Sequence, residues 1–179
     1  WLAEELKQSP TVCCLDLSHN EIGQAGAEAL TAVLAANKTL EALSLRENGI
    51  RGGAIALARA LRSSSLRSLS LQSNSIGASG AVALSDALGS SDTRLASLNL
   101  RDNQITAWGT AALAGLLKSN SALTNLNLAE NGIFDLGGVP LAETLVVNSS
   151  LRSLNVSSNG LGRQTGYAFS ESLSRNGSL

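Results

Sequence analysis

One histidine, His19, and two cysteines, Cys13 and Cys14, are the side chains of this 179-residue chain best suited to proton transfer, nucleophilic attack or soft-metal ligation. They do not form a catalytic or metal-binding set. A catalytic base needs an oriented partner within hydrogen-bond reach, and a metal needs several donors at set spacings; no Cys/His cluster with such spacing occurs. Cys13 and Cys14 are neighbours, and on a strand neighbouring side chains are expected to point to opposite faces, which disfavours a disulfide between them. The stretch Gly160-Leu161-Gly162-Arg163-Gln164-Thr165-Gly166 has the composition of a dinucleotide-binding loop but the wrong glycine spacing. The residues therefore predict a segment that is not an enzyme, with no catalytic residue, no cofactor and no metal.

The polar residue that does recur is asparagine. Asn20, Asn48, Asn74, Asn103, Asn131 and Asn159 each close the same phrase, Leu-x-x-Leu-x-Leu-x-x-Asn, opening at Val12, Leu40, Leu66, Leu95, Leu123 and Leu151. Successive units are thus 28, 26, 29, 28 and 28 residues long, a period that means a solenoid. Within each phrase apolar residues alternate, as Leu43 and Leu45 do, which is the strand period; later leucines stand four apart, as Leu30 and Leu34 do, which is a helical face. A lone strand–helix unit cannot bury both apolar faces, so units must stack. The expected fold is an α/β horseshoe of about six 28-residue repeats, with a parallel β-sheet on the concave face and α-helices on the convex face.

Where the backbone leaves the strand it presents amides and carbonyls that are costly to bury unpaired. The asparagine side chain, donor and acceptor at once, is expected to bond them. Gly26, Gly80, Gly109 and Gly137, six residues later, and Gly53 in the short second unit, are expected to let each helix start pack tightly. The last unit has Thr165 there instead, which predicts a loop of different shape. Leu2 and Leu6 fall 28 residues before Leu30 and Leu34, and Leu179 falls 28 after Leu151. Residues 1–179 are therefore expected to form a single domain cut in mid-repeat at both ends, with further domains flanking it in the same chain.

Segments such as Leu43-Ser-Leu-Arg-Glu-Asn-Gly-Ile50 and Ser73-Asn-Ser-Ile-Gly-Ala-Ser-Gly-Ala-Val-Ala-Leu84 resemble the ribonuclease-inhibitor-like leucine-rich repeats, most of all the C-terminal repeats of NOD-like receptors. The resemblance spans essentially the whole chain. It implies a protein-interaction or ligand-sensing module of a larger intracellular protein. It also leaves two other roles open: a regulator similar to the Ran GTPase-activating protein, and an architectural scaffold in a cytoskeletal or ciliary assembly.

Composition narrows the partner. A net charge of −1 and a pI near 5.8 leave no basic stripe for phosphates, so no nucleic acid is expected. No apolar run approaches membrane-spanning length. Two unpaired thiols suit a reducing, cytoplasmic compartment. The sequons at Asn37, Asn148 and Asn176 all lie 17 residues after a phrase asparagine, as does Asn120, where asparagine suits a left-handed residue ending a helix.

A protein partner then needs a surface. On the inner sheet the third, fifth and seventh phrase positions are expected to face solvent, with the eighth adjoining them. Among these, Asp16, Arg46, Glu47, Gln72, Asn99, Arg101, Asp102, Asn127 and Glu130 are the candidate anchors on the concave face. A second candidate is the loop edge leading into the helices. There Trp108 takes the place of Ala25 and Ser79, Phe134 that of Gly23 and Gly77, and Leu136 likewise replaces a small or polar residue. Neighbouring units would thereby carry an exposed apolar patch.

Overall fold

The computed structural model describes residues 5–7, 9–90 and 93–179, so the expectation at Leu2 lies outside the described residues. Six strand–helix pairs follow one another: β1 Cys14–Asp16 and α1 Gly23–Ala36, β2 Ala42–Ser44 and α2 Gly53–Leu61, β3 Ser68–Ser70 and α3 Gly77–Leu88, β4 Ser97–Asn99 and α4 Thr106–Leu117, β5 Asn125–Asn127 and α5 Phe134–Thr144, β6 Ser153–Asn155 and α6 Arg163–Arg175. The strands form one parallel sheet in the order β1-β2-β3-β4-β5-β6, and each helix packs on its sequence neighbours. The chain is an α/β leucine-rich repeat solenoid.

Register follows the phrase. Leu15, Leu43, Leu69, Leu98, Leu126 and Leu154 pair in one continuous row. With Leu45, Leu71, Leu100 and Leu128 they line a core closed by helical leucines such as Leu57, Leu84, Leu113 and Leu141. Each such side chain contributes about 1.5–3 kcal/mol by burial. Leu154, Val156 and Phe169 in the sixth unit are only half-buried, because among the described residues no further unit stacks on β6.

The ladder asparagines bond as their position requires. The Asn103 amide donates from Nδ2 to the carbonyls of Leu71 (2.8 Å), Leu100 (3.1 Å) and Arg101 (3.0 Å). Its Oδ1 accepts the backbone N–H of Asn74 (3.1 Å) and of Ile76 (3.3 Å) in the unit before. Asn74, Asn131 and Asn159 repeat this whole pattern in their own units, and Asn48 keeps its core. Asn20 stands outside the series: exposed, it donates only to Leu17 and Ser18 of its own turn.

Tight helix starts are visible at the glycines. A Cβ on Gly109 would lie 2.5 Å from Ile105 Cγ2 and 2.9 Å from Ala81 Cβ, and one on Gly137 would meet Ile133 and the Ala107 backbone at 2.8 and 2.9 Å. In the sixth unit the sizes are exchanged: Thr165 is buried, and the facing residue one unit back is Gly138, where a Cβ would meet Thr165 Oγ1 at 2.5 Å. The predicted difference in loop shape appears at Gly162, whose φ of −102° replaces the left-handed backbone of Gly23, Arg51, Gly77, Thr106 and Phe134 at the same register position. Asp135 caps this helix from the unit before, Oδ1 accepting the N–H of Gly162 (2.7 Å) and Thr165 (3.1 Å) and the Thr165 hydroxyl (2.6 Å). These bonds, the Thr165 hydroxyl first, hold the Asp135 carboxyl below its ordinary range.

Three expectations need correction. Asn37 and Asn176 have extended backbone, φ −72° and −81°, and neither Asn120 nor Asn148 is left-handed. All four build a second ladder instead: Asn148 Nδ2 donates to Leu117 O (2.8 Å) while its Oδ1 accepts the N–H of Leu151 (2.9 Å), and Asn37, Asn120 and Asn176 do the same in their own units. Cys13 and Cys14, expected on opposite faces, are both exposed with their side chains near enough to interact. Their mutual hydrogen bond pushes the Cys14 thiol up. Ala129, at a seventh phrase position and so expected to face solvent, is buried.

Candidate functional site

The concave anchors occupy the inner sheet and the turn that leaves it, and most are engaged with each other. Arg46 donates Nε and Nη2 to Glu47 Oε1 at 2.9 and 2.7 Å, and His19 Nδ1 lies 2.9 Å from Glu47 Oε2. The Arg46 contact, above all, holds the Glu47 carboxyl below its usual range. Arg101 reaches across one unit to Glu130, Nη2 to Oε1 2.6 Å. Both pairs are solvent-facing and open to screening, so neither is a strong stabiliser. They also neutralise the arginines that a partner would have to engage.

The polar anchors on β1, β4 and β5 turn out to serve their own backbone. Asp16, Asn99 and Asn127 each accept on Oδ1 the N–H two residues on, from Ser18 (2.9 Å), Arg101 (3.1 Å) and Ala129 (3.0 Å). The Ser18 hydroxyl also donates to Asp16, and this bond leads in holding that carboxyl below its ordinary range. Asn99 Nδ2 donates to Gln72 Oε1 at 3.3 Å. Asp102 is exposed on the turn. The floor of the concave face is shallow, a hollow of about 330 Å³ between Cys14, Asp16, Ala42, Ser44, Ser68 and Ser70.

A backbone feature escaped sequence reasoning. His19, Glu47, Ser73, Asp102, Glu130 and Ser158, at the position before each ladder asparagine, are all left-handed with φ between 53° and 58°. Non-glycine residues rarely adopt this conformation. The signal lay in the register itself: six unrelated side chains at one position mean that backbone, not side chain, is what recurs there.

The loop edge is different in kind. Trp108 is 80% exposed, Leu136 75% and Phe134 59%. Trp108 and Leu136 hold the same register position on adjacent helices, so they stand side by side. Phe134 has φ 50°, where the first and third units place Gly23 and Gly77 at 62° and 65°. A bulky residue there costs on the order of 1–3 kcal/mol of backbone strain. The next unit accommodates its ring: Gly160 lacks a Cβ, and one added would meet Phe134 carbons at 2.7 Å. Nearby, Pro140 inside α5 has no N–H to give the Leu136 carbonyl.

Among the described residues no group of three His, Cys, Asp or Glu is placed to hold a metal, and no helix is long and apolar enough to cross a membrane.

Comparison with known proteins agrees with the architecture. No curated protein sequence matches the chain. Among solved structures, the leiomodin-1 actin-binding site 2 aligns with TM-score 0.58 at 19% identity, over 97% of this chain and 86% of that one. A tropomodulin C-terminal domain from Caenorhabditis elegans aligns with TM-score 0.55 at 16% identity, over 97% and 90%. At such identities the likeness is one of fold. The Leucine Rich repeat signature matches residues 8–30, 36–58, 62–85, 119–142 and 147–168, leaving out the fourth unit that carries Trp108. With more than half of its residues inside those segments, the chain belongs to the leucine-rich repeat family.

Proposed function

We propose that the chain is a non-catalytic protein-interaction or ligand-sensing module of a larger intracellular protein, of the NOD-like-receptor type. The observation that carries this reading is the row formed by Trp108 and Leu136 with Phe134 beside it. Three large apolar side chains stand exposed where the other units place small or polar residues, and one of them is kept despite a strained backbone. Aromatic residues of this kind anchor protein contacts. The concave anchors Arg46, Arg101, Gln72, Asn99, Asn127, Asp16, Asp102, Glu47 and Glu130 form the second surface, contributing specificity through charge more than affinity.

The test is capture from cell lysate by three folded proteins: the parent, Trp108→Ser/Leu136→Ser, and Arg46→Glu/Arg101→Glu. Loss of partners from the first variant alone supports recognition at the loop edge, and loss from the second alone moves it to the concave face. Identical capture by all three refutes both surfaces. A second reading, a scaffold in a cytoskeletal assembly, draws on the printed description of the leiomodin fragment as an actin-binding site. Co-sedimentation with filamentous actin tests it directly; no pelleting above the level of an unrelated protein rejects it.

A further inference from the structure

We infer that Cys13 and Cys14, side by side at the first strand, form a two-thiolate site for a soft monovalent cation, Cu(I). The inference goes beyond the loop-edge reading and does not draw on Trp108.

On a regular strand successive N–H groups point to opposite edges and successive side chains to opposite faces. The stack breaks that alternation at the second and third phrase positions. The Cys13 carbonyl accepts two successive N–H groups of the next unit, from Glu41 at 2.7 Å and from Ala42 at 3.0 Å. The carbonyls of Glu41, Arg67, Ala96 and Thr124 each take the corresponding pair in turn. Two residues therefore oppose one, as in a β-bulge, and their side chains no longer diverge. In the fifth unit the outcome is a direct contact: Thr124 Oγ1 donates to Asn125 Oδ1 at 2.7 Å. Cys13 and Cys14 hold those same two positions in the first unit, both exposed and near enough to interact. The expectation of no metal rested on thiols that diverge, and these do not.

Two thiols within reach of one atom chelate a soft ion, and thiolate ligands select Cu(I). Zinc takes four ligands, and among the described residues no third His, Cys, Asp or Glu completes a metal-holding group with the pair. A d10 monovalent ion is satisfied by two. There is room for it: Cys14 lies in register with Ala42, a small neighbour, and borders the hollow of about 330 Å³ on the concave floor. The surrounding charge has the right sign. Asp16 stands exposed two residues along, and Glu41, loosely paired with Arg67 at 3.6 Å, follows Cys13 in the next unit. The contact with Cys13 first, with Glu41 acting in the same direction, pushes the Cys14 thiol up, and a bound cation cancels that repulsion. A disulfide fits less well. Successive Cα atoms lie about 3.8 Å apart, short of the roughly 4.4–6.8 Å that a bridge prefers, and the same acids repel an anionic oxidant such as glutathione disulfide. Binding is an exchange: two S–H bonds give their protons to water, two S–Cu bonds form, and no electron is transferred.

The reduced whole chain, kept free of oxygen, is titrated against the coloured Cu(I) complex of bicinchoninate, beside Cys13→Ser, Cys14→Ser and Trp108→Ser/Leu136→Ser. Both cysteines are exposed, so each serine variant keeps the fold, which circular dichroism checks. The expected result is one Cu(I) withdrawn per chain by the parent and by Trp108→Ser/Leu136→Ser. Either cysteine variant is expected to lose at least about 100-fold in affinity, beyond what loss of a group that merely supports a metal ligand costs. A parent that withdraws no Cu(I), a single-cysteine variant that binds like the parent, or Zn(II) held more tightly than Cu(I) overturns the inference. Phenylarsine oxide, which bridges two adjacent thiols with release of one water, separates two causes of failure. Protection of both thiols without Cu(I) uptake rejects the cation while keeping the thiols adjacent, and no protection rejects the adjacency itself. Loss of both thiols to glutathione disulfide with no Cu(I) bound makes the pair a redox site instead. None of these failures touches the loop-edge reading, which capture by the Trp108→Ser/Leu136→Ser variant decides.

Discussion

Truncating one ladder asparagine and comparing it with its counterpart at the end of the stack separates buried hydrogen bonding from everything else that distinguishes the repeats. Asn103 is fully buried. In Asn103→Ala the three carbonyls it serves each keep another donor: Leu71 O from Asn74 Nδ2, Leu100 O from Asn131 Nδ2, and Arg101 O from the Ser73 N–H. The N–H groups of Asn74 and Ile76 lose the acceptor that Asn103 Oδ1 provides, inside the core. An orphaned buried donor costs about 1–3 kcal/mol, so two of them destabilise by about 2–6 kcal/mol, a large part of the roughly 5–15 kcal/mol that holds a domain folded. Asn20→Ala removes only exposed bonds to Leu17 and Ser18, and Leu17 O retains Asn48 Nδ2. Its expected cost is below about 1 kcal/mol. Urea unfolding followed by circular dichroism gives both values, and amide exchange at Asn74 and Ile76 reports whether the loss is local, since stacked repeats can open unit by unit. Equal destabilisation by the two substitutions would refute the claim that the ladder acts through buried donors.

Other outcomes follow from the same geometry. Gly109→Ala forces a Cβ against Ile105 and Ala81 and is expected to cost about 1–3 kcal/mol, measured by the same unfolding; Gly115→Ala, into open space, is expected to stabilise by about 0.5–1 kcal/mol. Because Asp135 is held below its ordinary range in the folded chain, the stability it contributes is present above the unfolded carboxylate value and lost as pH falls through the lower folded value. Asp135→Asn should therefore lower the melting temperature near neutrality and flatten its fall in acid; a parallel acid limb would contradict this. A double-mutant cycle on Arg101 and Glu130 should give a coupling below about 1 kcal/mol that shrinks with added salt.

The repeat was legible from the chain alone because it is written in positions that cannot vary freely. Leu43 and Leu45 must face the core, Asn48 must bond a buried turn, and Gly109 must leave room for the helix before it, so each constraint leaves its residue type at a fixed interval. Strand order, register and the first asparagine ladder follow from those intervals. What the residues did not reveal is whatever depends on through-space neighbours. That Asn37 and Asn176 form a second ladder with extended backbone, that Asp135 caps the next helix through Thr165, and that Gly138 makes room for the Thr165 side chain are settled between units about 28 residues apart in sequence and adjacent in space. The same holds for the surfaces. The sequence marked Arg46 and Arg101 as anchors and Trp108, Phe134 and Leu136 as departures from the pattern; only the tertiary structure decided that the arginines are spent on Glu47 and Glu130, while Trp108 and Leu136 remain open to solvent. Core positions answer to a local period, whereas exposure and pairing on a stacked surface are properties of how neighbouring units meet.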